Sequence, residues 1–508
     1  MSSLTKFILR RMGISFLVLL GGSLLLFVLT INSGDPIEDL RESNADNRDY
    51  LIRQRTAYMG LDQPWYSRYW EWLTGAAKCV TLNCDLGTNR NGVEVTSLLG
   101  NAASSTLRLV VLATVLAIVI GITVGILTAI RQYSGFDYVV TFLAFLFFSL
   151  PVFWAAVLLK EYGAIRFNDW IVEPTFTPLQ ILVTAGLLGI AVQAVMGGDL
   201  KRRALTAGAT LVFVGAVMYY FSAVEWFRRP AFGAVLILVV GVAAAVGITA
   251  LLAGLKNRKV MWSALTTVGA GLAVYFAFLP VLREPTWLSL LAILALVVVL
   301  GAVSGWFWGG YSRRLAMGVS VAVGVVMAFL IVVDRAVAGW MGLLSLKSRP
   351  ISTIGSQTPN FTGDFWESFL DKGVQIILPT IVLTLVSVAS YTRYTRSSML
   401  EVLEQDYVRT ARSKGLSERV VIVKHAFRNA LIPITTIVAF DFAGLIGGAI
   451  ITEQVFGWKG MGELFQTGLK TVDPAPVMAF FLVTGTAAVL MNLAADLAYA
   501  GLDPRIRR

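Results

Sequence analysis

The chain has 508 residues, of which 56% are hydrophobic and only 14% charged, and its mean hydropathy is +0.72. A soluble domain rarely exceeds half apolar composition, so these values exclude a water-soluble enzyme or binding module and indicate a chain that crosses a bilayer many times. The formal charge of +11 sits in short Lys/Arg clusters between apolar runs, which argues for membrane topology and against nucleic-acid binding.

The first element follows Lys6, Arg10 and Arg11: an apolar run from Met12 to Ile31, long enough to cross a hydrocarbon core of about 30 Å. No small-residue cleavage site follows cleanly, so the run reads as an uncleaved first span. The polar stretch from Asn32 to Ser105 then reads as extracytoplasmic. Trp65, Tyr66, Tyr69, Trp70 and Trp72 have the spacing of an interfacial amphipathic helix. Cys79 and Cys84 are candidates for a local disulfide, with two free thiols as the alternative.

Further apolar runs fall near 106–130, 138–160, 178–197, 204–223, 232–254, 260–281, 286–308, 314–334, 374–392, 431–452 and 477–500. Backbone polar groups in lipid must be paired within their own segment, so the predicted fold is an all-α polytopic membrane protein of about twelve spans. Threading from a cytoplasmic N-terminus puts Arg131, Lys201 to Arg203, Lys256 to Lys259, and Arg313 with Arg314 on the inner side, as the positive-inside rule requires.

Three basic turns recur about 55 residues apart, at Gly198 to Arg203, Gly254 to Lys259 and Gly310 to Arg314, so roughly 177–336 reads as three membrane hairpins in series. Hairpins of equal length in one bilayer look periodic without duplication, so the repeat does not establish common descent. Six added helices leave the downstream orientation unchanged. With almost no polar residue expected at membrane depth, the region reads as a lipid-facing scaffold or docking surface.

The inner stretch 393–430 is the most informative. Within it Asp406, Tyr407, Val408, Arg409, Thr410, Ala411, Arg412, Ser413, Lys414, Gly415 and Leu416 describe a short wet helix with a small apolar edge. Asp406 is its expected cap, Gly415 its left-handed stop, and Ser417 the cap of a second helix. Such an exposed helix suits a soluble partner, although an ordinary solvated connector has the same local features.

This stretch resembles the coupling segment of permeases of ATP-binding-cassette importers, and its wording is similar to that of the dipeptide and oligopeptide permease family. Ala411 and Gly415 match the small positions and Pro433 the closing proline; the acidic opening is relaxed. Gly60 to Pro64, Asp85 to Thr88, Ser149 to Trp154, Arg396 to Leu400 and Leu502 to Arg505 agree in order. The resemblance covers about 1–165 and 360–508, with 166–350 as an inserted membrane region, and Lys459 departs from an expected Pro. It implies a six-helix core coupled through Asp406, Tyr407, Val408, Arg409, Ala411, Arg412, Gly415 and Leu416 to ATPase subunits that bind the ATP and Mg2+. It also implies a second permease, an extracytoplasmic substrate-binding protein, and a bacterial inner-membrane location with both termini cytoplasmic.

No Gly-x-x-x-x-Gly-Lys-Ser/Thr loop occurs, so ATP hydrolysis is expected in partner chains and no cofactor in this one. His425 is the only histidine, which leaves no cluster for a transition metal and no base for a nucleophilic serine. Asp441, mid-span, is a candidate for the translocation route, as is Asn492, while Asn492 and Asp496 also suit a role tying helices together. An ion-coupled twelve-helix transporter is the rival reading, but it usually carries paired midplane charges and related halves. A membrane scaffold, which would need no coupling segment, is the third.

Overall fold

The computed structural model describes residues 3–81 and 83–502. The described residues are mainly helical and contain no named strand, only an isolated β-bridge between Thr88 and Glu94. Among the described residues, eleven helices are long and apolar enough to cross a bilayer, and a bent pair can supply a twelfth. The family tags Asp503, Pro504 and Arg505 lie outside the described residues.

The principal helices are α1 Ser3–Ile31, α2 Arg48–Met59, α3 Trp65–Ala77, α4 Val95–Ile130, α5 Gly135–Ser149, α6 Val152–Lys160, α7 Pro178–Met196, α8 Leu200–Ala223, α9 Gly233–Leu252, α10 Arg258–Ala277, α11 Trp287–Trp308, α12 Arg313–Ala338, α13 Phe365–Leu403, α14 Asp406–Ser413, α15 Arg428–Gly448, α16 Ile450–Phe456, α17 Met461–Lys470 and α18 Pro474–Leu502. Helices α4 and α13 form the spine. They approach closely because a Cβ at Gly121 would strike Tyr391 and one at Gly125 would strike Thr395, the small-residue packing that drives association in lipid. Helices α5, α6, α15 and α18 surround this pair, and α1 lies on α18.

The expected straight span 138–160 is instead two arms, α5 and α6 with its continuation to Trp170, meeting at 99°. Pro151 has no N–H to continue the ladder and its ring disfavours helical backbone at the preceding residue; Leu150 is accordingly extended, with φ −75° and ψ 125°.

In the middle region all three hairpins form, but not as equal units in series. Helices α9 to α12 make a four-helix bundle with its own core around Val268, Val297, Val323 and Met327. Hairpin α7–α8 stands apart against α5; α8 packs on α7 along one side, and none of its residues is buried. The bundle is also more polar than expected. Ser320 donates to Ser263 Oγ at 3.0 Å, and Ser304 donates to the Ser263 carbonyl at 2.8 Å. Hydroxyls that satisfy one another or a helix carbonyl cost little inside a bundle, so hydropathy averaged over a span hides them.

Two faces emerge from the contacts. On one, Arg396 pairs with Asp137, Arg419 reaches Leu252, and Lys259 lies beside Gly310. On the other, the Arg90 amide donates to Asp473, Gly355 to the Phe456 carbonyl, Trp366 to the Leu282 carbonyl and Trp340 to the Phe227 carbonyl. All three basic turns lie on the first face, which also carries α14.

Candidate functional site

Helix α14 begins at Asp406 and ends at Ser413; Lys414 follows, and Gly415 adopts φ +74°, its amide donating to the Arg412 carbonyl. A left-handed stop is cheap only for glycine. A Cβ at Gly415 would meet nothing within 4 Å, so this turn projects into open space. Capping differs from expectation. Gln405, not Asp406, occupies the N-cap, and no side chain caps the helix. Asp406 is instead the first helical residue, its carboxylate fully exposed 4.0 Å from Arg409, where it still complements the helix dipole. Ser417 holds the second N-cap position without a side-chain hydrogen bond.

The helix is anchored by its apolar edge. Val408, Ala411 and Val421 are buried together under Val402 and Leu403, while Tyr407 and Leu416 stay exposed. Arg412 closes the turn with a two-pronged pair to Glu418, at 2.7 and 3.2 Å. That hydrogen bond holds the Glu418 carboxyl below its usual range and the Arg412 guanidinium above its own. Tyr407 Oη accepts from Asn429 at 2.8 Å, linking α14 to the base of α15. His425 sits between them in a π-helical stretch. An exposed, polar, sharply stopped helix is thus fixed to the ends of α13 and α15.

Asp441 lies half-buried on α15 and accepts from Ser387 at 2.7 Å and Tyr391 at 2.6 Å, both on α13. Asn492 is not part of that cluster: it accepts from Arg11 at 2.8 Å, and Asp496 pairs with the same guanidinium. These contacts tie α18 to α1.

Several buried acids escaped the sequence reading, among them Asp137 and Glu453. Asp137, almost wholly buried, forms a two-pronged pair with Arg396 at 2.8 and 2.9 Å and accepts from the Tyr133 amide, pinning α13 to α5 just before the loop that carries α14. Glu453, fully buried, accepts from Thr106 Oγ1 at 2.6 Å and from the amides of Gly462 and Glu463 at 2.7 and 3.3 Å. It fixes the α16–α17 turn onto α4. Each sits one residue outside an apolar run, Asp137 before 138–160 and Glu453 after 431–452, so hydropathy along the chain did not single them out.

On the opposite face, Cys79 and Cys84 are disulfide-bonded. Tyr69 of α3 packs on Phe27 and its hydroxyl bonds Ser23 of α1, while Trp65, Tyr66 and Trp70 are exposed, as an interfacial helix requires. Asp473, buried at the start of α18, accepts from the Arg90 and Ala475 amides. A cavity of about 280 Å3 opens between this outer segment and α18, lined in part by Arg68, Trp72, Asp85 and Asp473.

The family model described as binding-protein-dependent transport system inner membrane component matches residues 121–508. The chain is 43% identical over 153 residues to an oligopeptide transport system permease protein of Mycobacterium tuberculosis, covering 30% of this chain and 47% of that protein. It is 38% identical over 226 residues to a putative peptide permease protein of Brucella suis biovar 1, covering 44% and 68%. A dipeptide transport system permease protein of Alkalihalophilus pseudofirmus is 35% identical over 244 residues, 45% of this chain and 72% of that protein. The chain spans about half the length of the first of these relatives.

Proposed function

The chain belongs to the family of binding-protein-dependent transport system inner membrane components, the membrane permeases of ATP-binding-cassette importers, and from that membership we propose that it forms half of a peptide translocation route worked by ATPase partners. The exposed α14, clamped to α13 and α15 by Val408, Ala411, Tyr407 and the Arg412–Glu418 pair, carries this reading. Nucleotide binding in the partners moves α14, and the two spans tilt with it, switching the route between its two openings. The face bearing α14 and the basic turns is then cytoplasmic. A second permease, two ATPase domains and an extracytoplasmic binding protein complete the importer. The catalytic work is assigned to the partners. Peptides are the favoured cargo because the relatives are named for peptide, oligopeptide and dipeptide transport.

Gly415 gives the sharpest test, because a side chain there enters open space. Gly415→Trp should abolish co-purification with the ATPase subunits, whereas Gly415→Asn, which tolerates a left-handed backbone, should retain it. A Trp variant that co-purifies normally and stimulates hydrolysis would remove α14 from the coupling role. For Asp441, the route-lining assignment expects Asp441→Asn to lower uptake in reconstituted vesicles at saturating peptide; unchanged uptake would reduce Asp441 to a tie between α13 and α15.

A further inference from the structure

Two of the three basic turns meet. Lys259 lies beside Gly310, Trp262 stacks on Trp308 with ring centroids 6.5 Å apart, and the Arg313 guanidinium sits 5.1 Å above the Trp306 ring. Lys256, Arg258 and Lys259 of one turn therefore join Arg313 and Arg314 of the next in a single patch at the ends of α9 to α12. All five cations are exposed. None has a carboxylate partner among the described residues, and neither 254–262 nor 305–316 contains an acid.

Five like charges gathered without a counter-charge repel one another and call for an anion. Their setting says which one. The patch begins where the spans end, and Trp262, Trp306 and Trp308 beside it are 54%, 55% and 39% exposed, the amphipathic collar that sits at headgroup height. The Lys201 to Arg203 turn differs: Asp199 lies beside it and no tryptophan does. A dissolved anion would have no use for the indole collar.

We infer that the patch formed by Lys256, Arg258, Lys259, Arg313 and Arg314 binds the phosphate-bearing headgroup of an anionic phospholipid, with the lipid's upper acyl chain against the three tryptophans. The site adjoins the coupling segment. Arg419, two residues beyond the second cap at Ser417, donates to the carbonyl of Leu252 at 2.8 Å, four residues before Lys256. Lipid bound at the patch would steady the bundle end against which that segment leans.

The test is retention of lipid by the purified full chain, read by native mass spectrometry after exchange into phosphatidylcholine alone or phosphatidylcholine mixed with phosphatidylglycerol or cardiolipin. Wild type should keep anionic lipid selectively. Lys259→Gln and Arg313→Gln should each weaken retention about fivefold. Trp306→Leu with Trp308→Leu should weaken it with every charge in place, which keeps the test sound if charge removal disturbs insertion. Neutralising Lys201, Arg202 and Arg203 should leave it unchanged. Equal retention by wild type and the Gln variants, equal retention of phosphatidylcholine, or displacement by millimolar inorganic phosphate would each overturn the site. None of these readings needs the ATPase or a peptide, so they are independent of the transport assignment.

Discussion

A carboxylate placed where Glu453 lies is tolerated only if its lone pairs are filled, and here one hydroxyl and two amides fill them. Glu453→Leu removes the acceptor and leaves three donors without a partner, so a loss of about 1–3 kcal/mol for each strands the α16–α17 turn. Thermal unfolding in detergent should show a marked fall for this variant and a smaller one for Glu453→Gln, which keeps one acceptor oxygen. The pH dependence has a definite sign. Burial raises the Glu453 pKa above its ordinary 4.5, the bound hydrogens only partly offsetting it, so the native state holds this proton more tightly than the unfolded chain. Its contribution is present below the ordinary value and declines as pH climbs through the raised one. Wild type should therefore lose Tm relative to Glu453→Gln as pH rises through that window; a pH-independent difference would refute the assignment. Asp473 shifts the same way for the same reason, which is why the comparison must be with the Gln variant.

Among the elements, α13 and α5 are joined by an ion pair close to the loop that carries α14. Arg396 is partly exposed but its partner Asp137 is buried, and stripping a buried charge of its partner costs more than the pair itself contributes. Arg396→Met should destabilise the chain by about 1–3 kcal/mol in thermal unfolding, since Asp137 keeps only the Tyr133 amide and local donors, whereas Arg396→Met with Asp137→Leu should recover most of that loss. If the double variant is as unstable as the single, the pair is not what holds the two helices. The segment Arg396 to Leu400 was legible in the sequence as a motif, but its partner was not: Asp137 is 259 residues away, and no local pattern announces a pairing at that distance. The same holds for the capping of α14, where the sequence offered Asp406 and the chain path gave the position to Gln405.

For the whole molecule, the middle region leaves and re-enters the rest at one point. Asn168 donates to the Ile351 carbonyl at 2.8 Å and accepts from the Ile351 amide at 3.0 Å, so two residues 183 apart sit side by side. The α9–α12 bundle has its own core and meets α13 through Trp366 and the Trp287–Phe365 ring contact. Replacing residues 172–348 with a short Gly/Ser link should leave a chain that inserts and unfolds cooperatively, with Tm lowered by the lost Trp366 contacts. Failure to accumulate in the membrane would instead make the middle region part of the folding unit.

Run length and hydropathy were enough to determine an all-helical membrane protein and the number of its long apolar segments, because a bilayer of fixed thickness leaves the backbone no other way to satisfy itself. Gly415 likewise declared its turn, since a left-handed residue is a local property. Only the tertiary structure decided which basic turns join, which acids are dry, and that the third apolar run breaks at Pro151 into arms at 99°. Each of these depends on what a distant segment brings alongside, and lateral packing in lipid is set by shape and paired polar groups, to which a hydropathy profile is blind.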